Sequence, residues 1–469
     1  MKYFLLTLSL FIFMLAAKAQ APQLWGTCGF GGASGFGAII KSDSTGANFH
    51  VVYSFDSISG SLPLGNLCSG GNGKLYGVTS EGGYGDSCVC FSYDTTTGIY
   101  TDFHDFVLNI DSGWEATSGM MLAADGMLYG LAAQGGLDNE GVLYRVDPAI
   151  DSYSPIYNFS SSTGGAPEGG LIQLSDGKLY GMTSGGGQNG AGVIFNFNPA
   201  NNTYLDLYDF NATTGAGPTL GSLLKASDGK LYGLTTYGGQ YNKGAIFSYD
   251  LASGIYTDLR DLNNSDGELP HGSLIQATNG LLYGMTYQGG TNSGGVIFSY
   301  DLNTQDYSVL YNFNITDGFY PLRSLTQTSN GKLVGTTSLG GFYYGGTAFS
   351  FDITNNTFTK LIDFANIGCS SSSCDILETG AMPLATSVIP IRNVEEFITY
   401  PNPVTDEVTV SGKILIPETQ VDLWDDQGKR IVDFTVKGNT LNVSMLPSGF
   451  YFLKLTSGSS SAVGKFVKE

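Results

Sequence analysis

Six residues in predicted loops have side chains that could do chemistry. They are Trp114, Glu115, Glu168, His271, Tyr320 and Arg323. Aromatic rings offer flat apolar surfaces to sugars or protein side chains, and carboxylates hydrogen-bond hydroxyl groups. A carboxylate and an imidazole can also transfer protons, with Glu168 or Glu115 as acid or base and His271 as its partner. These residue types therefore fit either a binding face or an active site.

Known catalytic motifs are missing from this sequence. It contains no nucleophile elbow, HExxH, P-loop or metal triad, and only three histidines. Two of these, His50 and His104, fall in predicted outer strands. We therefore interpret the six residues as a non-catalytic binding site for a glycan or protein ligand, without a cofactor. The alternative is a secreted polysaccharide hydrolase or lyase that uses the loop carboxylates.

Aspartates recur at one position of an internal repeat. They are Asp94, Asp147, Asp250, Asp301 and Asp352. Calcium is one hypothesis, because hard cations favour oxygen ligands. The spacing matches no calcium loop, however, and an aspartate side chain can also cap a turn. We therefore predict turn caps and assign no metal ligand.

The repeat itself is marked by Leu-Tyr-Gly or a close variant. The glycines of its seven copies are Gly26, Gly77, Gly130, Gly181, Gly233, Gly284 and Gly335. A period of about 50 residues is typical of propeller arrays. The sequence thus predicts an all-β fold with a seven-bladed β-propeller over residues 20–391.

Each repeat can be divided into four strands, a to d. In one copy they are predicted at Gly272–Thr278, Leu281–Tyr287, Gly295–Tyr300 and Tyr307–Phe313. Asn279-Gly280 between the first two predicts a type I′ hairpin turn. The chain direction places the b–c and d–a loops on one face, where the six candidate residues lie. We expect the Tyr of Leu-Tyr-Gly to pack between blades.

Strand a is predicted to line the central axis, where backbones crowd together. Small residues fit there: Gly65, Ser118, Gly169, Gly221, Gly272 and Ala385. Arg323 takes this position in the seventh copy. The first copy lacks its own strand a, and Met382–Thr386 resembles the start of that strand in other copies. We therefore predict that this segment closes the ring beside the strand around Trp25.

The N-terminus predicts export. An apolar run follows Lys2 and ends in Ala17-Lys18-Ala19, which fits a signal peptide over residues 1–19. No later segment is long and apolar enough to span a membrane. Six cysteines in an oxidising compartment favour disulfides. Cys369 and Cys374 share one loop and are predicted to pair, whereas the pairing of Cys28, Cys68, Cys88 and Cys90 stays open.

The repeats resemble those of known secreted proteins. The Gly-Gly after strand b, the Asp after strand c and the aromatic residue in strand d are similar to kelch-type repeats. The stretch Leu179–Gly187 followed by Gly192-Val193-Ile194-Phe195 more closely resembles the GloVer tandem repeats of secreted bacterial proteins. That resemblance implies the fold and the setting rather than an activity.

A different pattern begins after Ile391. Residues 392–399 are predicted to form a linker, and residues 400–469 contain alternating runs that predict a small Ig-like β-sandwich. Tyr400-Pro401-Asn402-Pro403, the segment around Gly449 and the ending around Lys465 resemble the type A sorting domain of the type IX secretion system. The resemblance implies that the type IX machinery is a partner and that the protein is secreted or held at the outer cell surface.

The charge distribution separates these two parts. The full chain has a net charge of −20. Residues 20–391 contain 11 basic and 31 acidic residues, which gives −20, and residues 392–469 contain 8 and 10, which gives −2. An acidic chain without a basic patch is not expected to bind nucleic acid.

Overall fold

The computed structural model divides the chain into two compact units, Met1–Met382 and Pro383–Glu469. It describes residues 21–85, 87–106, 113–370 and 375–380, and in the second unit residues 398–400, 405–411, 420–425, 430–431, 435–437, 440–457 and 460–468. The predicted signal peptide lies outside these residues, as does the predicted linker except for residues 398 and 399.

Seven four-stranded antiparallel sheets form the blades of the first unit. In order of blades 1 to 7, strand a is Leu377–Thr379, Cys68–Ser69, Met121–Leu122, Ile172–Gln173, Leu224–Lys225, Ile275–Gln276 and Thr326–Gln327. Strand b is Gln23–Cys28, Lys74–Thr79, Leu128–Ala132, Leu179–Met182, Leu231–Thr235, Leu282–Met285 and Leu333–Thr337. The structure thus confirms the seven-bladed propeller.

The outer strands c and d are longer than strand a. Strand c is Ala38–Asp43, Cys88–Asp94, Val142–Asp147, Val193–Asn198, Ala245–Asp250, Val296–Tyr300 and Thr347–Asp352. Strand d is His50–Ser54, Tyr100–Phe106, Ser152–Asn158, Thr203–Asp209, Ile255–Asp261, Tyr307–Asn312 and Thr357–Asp363. Gly113–Trp114 pairs with Gln134–Gly135, and Phe30–Gly31 pairs with Cys369–Ser370. A 3-10 helix spans Phe364–Ile367.

The ring closes as predicted, but with a different strand. Leu377–Thr379 pairs antiparallel with Gln23–Trp25 and supplies strand a of blade 1. The prediction that Met382–Thr386 does so was wrong, because this edge of blade 1 is already occupied. Met382–Thr386 itself lies outside the described residues.

The predicted disulfide between Cys369 and Cys374 was also wrong. Cys369 is bonded to Cys28, with their Cα atoms 5.9 Å apart, and not to Cys374. Cys28 ends strand b of blade 1, and Cys369 follows the last strand of blade 7. Ring closure brings these two residues together across 341 positions of sequence. Cys374 lies outside the described residues, and Cys68, Cys88 and Cys90 are free thiols.

The a–b hairpins keep the predicted position but not the predicted turn type. Gly280 has φ +86°, whereas Asn279 does not adopt a positive φ. The N–H of Gly280 donates to the carbonyl of Ala277 at 2.8 Å, and the N–H of Ala277 donates to the carbonyl of Leu281 at 3.0 Å. These bonds define a type I turn followed by a left-handed glycine. A type I′ turn would need positive φ at both residues.

Leu-Tyr-Gly packs the blades together as predicted. The Tyr129 ring is buried in one cluster with Phe195 of the next blade, and its hydroxyl donates to Asp125 Oδ2 at 2.7 Å. The glycine makes room for an aromatic ring of strand c. A Cβ on Gly233 would lie 2.4 Å from Cζ of Phe247. The tyrosine and the glycine of Leu-Tyr-Gly therefore both have structural roles.

Aromatic stacking joins the outer strands of neighbouring blades. Tyr208 of blade 4 stacks on Tyr256 of blade 5 with ring centroids 4.1 Å apart. His104 occupies the repeat position of Tyr208 in blade 2, and it stacks on Tyr153 of blade 3 with centroids 3.9 Å apart. This confirms that His104 lies at the outer strand as a packing residue. The other stacked pairs of this kind are Tyr53–Tyr100, Tyr157–Tyr204 and Tyr311–Phe358.

The second unit contains two four-stranded antiparallel sheets. One consists of Ile398–Tyr400, Glu407–Ser411, Thr440–Asn442 and Thr435–Lys437, and the other of Arg430–Ile431, Gln420–Asp425, Gly449–Ser457 and Ser460–Lys468. Both sheets contribute buried apolar residues, such as Val408 and Leu453. The first strand starts at Ile398, within the predicted linker. Pro401, Asn402 and Pro403 lie outside the described residues.

Candidate functional site

The b–c and d–a loops lie on the same face of the ring, which we call the loop face. Short antiparallel bridges join the d–a loop to the residue that follows strand b in the same blade. Trp114 is bridged to Gln134 in this way, and Phe319 is bridged to Leu339. The structure thus places the b–c and d–a loops on one face, as predicted.

Exposed aromatic rings are concentrated on this face. Among the described residues, every aromatic side chain with a large exposed surface belongs to a b–c loop: Phe30 and Phe36 in blade 1, Tyr84 in blade 2, Tyr237 and Tyr241 in blade 5, and Phe342, Tyr343 and Tyr344 in blade 7. Six of the eight thus lie in blades 7, 1 and 2, which are neighbours in the closed ring. The other aromatic rings in the described part of the propeller are buried or half-buried.

Hydrogen bonds from strand d hold the tips of several of these loops. Asp105 Oδ1 accepts the N–H of Tyr84 at 2.9 Å, and Asp363 Oδ1 accepts the N–H of Phe342 at 2.9 Å. In blade 3, Asn158 accepts the N–H of Leu137 in the same way. Each loop tip is therefore anchored to the sheet behind it, and its side chain projects from a fixed backbone.

Arg323 reaches across the central axis rather than into solvent. Its side chain is buried, and one terminal nitrogen donates to the carbonyl oxygens of Leu64 and Thr117, each at 2.9 Å. These carbonyls belong to the starts of blades 2 and 3, whereas Arg323 belongs to blade 7. The backbones at the axis are close enough that a Cβ on Gly169 would meet the carbonyl of Gly221 at 2.2 Å. Arg323 thus joins blades across the axis.

Glu115 and Glu168 lie near each other at the mouth of the ring, which we define as the surface around the starts of the seven a strands. Glu115 has φ +59° and accepts a hydrogen bond from the Gln134 amide. Burial raises the pKa of Glu168, the Glu115 carboxylate raises it further, and Ser184 and Arg323 act in the opposite direction. The mouth therefore holds one carboxyl that takes up protons more readily than usual.

His271 is held within the mouth by a neighbouring blade. Its Nδ1 lies 2.7 Å from the hydroxyl of Thr219, and its ring meets Tyr287 edge-on with centroids 5.1 Å apart. Burial lowers the pKa of His271 to about 4, and the Arg323 charge contributes. The imidazole is therefore neutral at pH 7.

Tyr287 connects His271 to Tyr320, and sequence analysis missed it. Its ring centroid is 4.7 Å from that of Tyr320. Tyr287 follows strand b, at the position of Ser184 in blade 4 and Ser338 in blade 7. A large ring among small hydroxyl residues at one repeat position was the signal that could have identified it.

Trp114 is set apart from this cluster. It pairs with Gln134 through the backbone, and its half-buried ring packs against a core cluster of blades 2 and 3. The six predicted residues are therefore not one constellation. Arg323 is an electrostatic neighbour of both Glu168 and His271, and His271 and Tyr320 flank Tyr287. Trp114 lies apart, against the blade core.

The recurring aspartates act as turn caps, as predicted. Asp94 Oδ1 accepts the N–H groups of Thr96 and Thr97 at 2.8 and 2.9 Å, and Asp250 Oδ1 accepts the N–H of Ala252 at 2.9 Å. Within the described part of the chain, no group of three or more His, Cys, Asp or Glu side chains could hold a metal ion. That part also contains no helix with the length and apolar character of a membrane span.

A concave site that the sequence did not indicate lies at the edge of the loop face. This blade 7 pocket has a volume of about 460 Å³ and is lined by Ile315, Thr316, Gly341, Phe342, Tyr344, Lys360, Asp363 and Asn366. Lys360 Nζ lies 3.0 Å from Asp363 Oδ2 and donates to the carbonyl of Thr316 at 2.9 Å. The pocket thus combines apolar walls with a polar floor whose two charges are paired.

Comparison with solved structures supports the fold. The chain covers 99% of the periplasmic gluconolactonase of Pseudomonas aeruginosa, which covers 76% of this chain, at 17% identity and a TM-score of 0.52. A protein from Lactobacillus plantarum gives 15% identity, the same two coverages and a TM-score of 0.51. The chain spans 39% of an extracellular domain assigned to a one-component system of B. thetaiotaomicron, at 13% identity and a TM-score of 0.46. No curated protein matches the sequence.

Comparison with family models covers both units. The secretion system C-terminal sorting domain matches residues 399–469, so this protein is secreted or located at the cell surface. The Gloeobacter/Verrucomicrobia repeat matches residues 107–256 and 219–382, which together form most of the propeller. The chain therefore belongs to the Gloeobacter/Verrucomicrobia repeat family.

Proposed function

We propose that this exported propeller is a non-catalytic recognition module that holds a glycan or protein ligand on its loop face. The observation that supports this most directly is the position of the exposed aromatic rings, all of which belong to b–c loops within the described residues. Exposed apolar surface is unfavourable in water, and aromatic rings stack well on sugars and on protein side chains. Concentrating them on one face is typical of an interaction surface.

In this proposal, some of the six residues predicted from the sequence stabilise the mouth of the ring and the others contact the ligand. Arg323 and His271 support the mouth, because their side chains are bonded to other blades. The four that remain are only partly buried and available to a ligand: Trp114, Glu115, Glu168 and Tyr320. The aromatic b–c loops supply the larger share of the contact.

The geometry at the mouth favours binding over proton transfer. The Nδ1 of His271 faces the Thr219 hydroxyl, and the Glu115 carboxylate accepts a hydrogen bond from Gln134. Arg323 makes two hydrogen bonds to backbone carbonyls. His271, Glu115 and Arg323 are therefore each held by structural contacts.

A glycan array probed with the full chain tests the proposal. Binding is expected, and changing Tyr84, Tyr241 and Phe342 together to Ser should weaken it at least tenfold without lowering the midpoint of thermal unfolding, because these rings are exposed. Changing exposed Ile99 and Ile150 on the opposite face to Ser is the matched control and should leave binding unchanged. Equal binding by both multiple variants would contradict the proposal.

A secreted polysaccharide hydrolase or lyase is the second candidate, and Glu168 supports it. Its raised pKa suits a general acid or base near neutral pH. A similar fold also occurs in a gluconolactonase, although at 17% identity this supports the fold alone. Every glycan bound on the array should be incubated with the full chain and assayed for new reducing ends and unsaturated products. Turnover that is lost in Glu168→Gln would favour the enzyme, and binding without turnover would favour the recognition module.

A further inference from the structure

One aromatic residue of the blade 7 loop has a backbone conformation that suits small side chains. Tyr344 has φ +60°, and the equivalent positions of blades 3 to 6 are Asn139, Gly190, Asn242 and Ser293, all with φ between +52° and +67°. Glycine and asparagine tolerate this region best, and a bulky residue there is an outlier. Blade 7 therefore holds a tyrosine where the repeat favours a small residue.

Tyr344 also lacks the side-chain hydrogen bond that an asparagine makes at this position in blades 3 and 5. Asn139 Oδ1 accepts the N–H of Gly135 at 3.1 Å, and Asn242 Oδ1 accepts the N–H of Gly238 at 3.0 Å. Within the described residues, the Tyr344 hydroxyl makes no corresponding bond. Its ring is 60% exposed, so burial does not compensate for this loss. Strain that packing does not explain is characteristic of functional positions.

The ring of Tyr344 lines the blade 7 pocket together with Phe342 and Ile315. The polar part of the lining, its floor, consists of the Lys360 ammonium, the Asp363 carboxylate and the Asn366 amide. The volume of about 460 Å³ is in the range of small-molecule sites. Because Lys360 and Asp363 are paired at 3.0 Å, the floor carries hydrogen-bonding groups without a net charge.

We propose that the blade 7 pocket binds one neutral pyranose ring of a glycan, with Tyr344 and Phe342 against an apolar face of the sugar and Lys360, Asp363 and Asn366 bonded to its hydroxyl groups. A pyranose combines apolar faces with a rim of hydroxyl donors and acceptors, which is the pattern that the pocket complements. An anionic sugar would meet the Asp363 carboxylate, whereas a purely apolar ligand would leave the polar floor unpaired. This assignment rests on the proposed recognition function and adds its ligand class and subsite.

The test uses the full chain and immobilised neutral oligosaccharides of glucose, mannose, xylose and galactose. In Tyr344→Asn, the residue of blades 3 and 5 replaces the tyrosine and can restore the hydrogen bond. This variant is expected to lose at least tenfold in affinity while its thermal midpoint stays equal or rises. Asn366→Ala should also weaken binding. Ile150→Ala, which removes an exposed apolar side chain from the opposite face of the ring, is the matched control and should retain affinity.

The outcomes separate this subsite from the broader function. If neutral oligosaccharides bind and Tyr344→Asn keeps affinity within twofold while Tyr84 or Tyr241 variants lose it, the blade 7 assignment is overturned and the recognition function stands. Binding restricted to anionic glycans or to proteins overturns the assignment in the same way. If no glycan and no protein binds the full chain, both proposals fail.

Discussion

Asn66 and Asp375 exchange two hydrogen bonds at the point where the ring closes. The Asn66 amide donates to Asp375 Oδ2 at 2.6 Å, and the N–H of Asp375 donates to Asn66 Oδ1 at 2.8 Å. Asp375 Oδ1 also accepts the N–H of Ser324 at 2.6 Å. Asp375 therefore joins blade 1 to blades 2 and 7 at the axis.

The same contact recurs between other neighbouring blades with serine in place of aspartate. The N–H of Ser222 donates to Ser273 Oγ at 2.7 Å, and the N–H of Ser273 donates to Ser324 Oγ at 2.9 Å. These pairs are each separated by 51 residues, as are Ser324 and Asp375. Asp375 is thus the continuation of this series into blade 1.

Changing Asp375 to Ala should destabilise the closed ring. The substitution removes the acceptor of two part-buried donors, and a donor left unpaired costs about 1–3 kcal/mol when fully buried. We expect the free energy of unfolding of the full chain, measured by chemical denaturation, to fall by about 2–4 kcal/mol. Asp375→Ser, which restores the residue of the other blades, should recover part of this loss. An unchanged midpoint in Asp375→Ala would contradict the assigned role.

The closing strand illustrates what the sequence could and could not predict. The glycine period located all seven blades, because Leu-Tyr-Gly must recur wherever a tyrosine packs between sheets. Asp375 lies one repeat period of 51 residues after Ser324, and strand Leu377–Thr379 follows it. The similarity of Met382–Thr386 to the start of strand a was a weaker signal, since it ignored this spacing. Closure itself was predictable from the missing first strand.

Features that depend on distant contacts were not predictable. The bond between Cys28 and Cys369 exists because closure brings together residues 341 positions apart, and neighbouring cysteines in one loop gave the wrong pair. The sequence showed that Arg323 is an exception among the small residues at the axis. Its contacts with carbonyl groups on the other side of the ring follow only from the three-dimensional arrangement. The pocket beside Tyr344 likewise combines two loops and an outer strand.

Removing the Cys28–Cys369 disulfide should lower stability without disturbing blade 1. Thr79 and Thr183 occupy the position equivalent to Cys28. Their hydroxyls accept the N–H groups of Val89 and Val193 in strand c, each at 3.0 Å. The double substitution Cys28→Thr and Cys369→Ser therefore removes the cross-link and restores the residue of the repeat. The chain-entropy model gives a loss of about 6 kcal/mol for so long a loop.

Chemical denaturation of the two forms under oxidising conditions measures this loss. A reducing agent should lower the midpoint of the wild-type chain towards that of the double variant and leave the variant itself unchanged. Coincident midpoints for oxidised wild type and the variant would show that the cross-link adds no stability.

Three aspartates in strand d should make stability depend on pH. Burial raises the pKa of Asp102, Asp206 and Asp258 to about 6, and in each case a second aspartate three residues later raises it further. Their folded pKa lies above the unfolded value of 3.8, so the folded state binds protons more tightly. Their stabilising contribution is present below about pH 4 and is lost as the pH rises through 6.

Changing these three aspartates to Asn should therefore raise the thermal midpoint at pH 7.5 by a few degrees and change it little at pH 4. Blade 7 provides the control, because Lys360 occupies the position of the first aspartate and pairs with Asp363 at 3.0 Å. Asp363→Asn should lower the midpoint at pH 7.5. A triple variant that is less stable than wild type at pH 7.5 would contradict this prediction.

Truncation should separate folding of the propeller from its delivery. Strand Leu377–Thr379 already completes blade 1, so a chain ending at residue 382 retains every described strand of the ring. Removing residues 383–469 deletes the sorting domain that matches residues 399–469. We expect the truncated propeller to fold, as judged by cooperative thermal unfolding, but to stay inside the cell envelope rather than reach the surface or the medium. A chain ending at residue 374 is the matched control and should lose cooperative unfolding, because it leaves Gln23–Trp25 without strand a on one side. Appearance of the residue-382 chain in the medium at wild-type levels would show that export does not require the sorting domain.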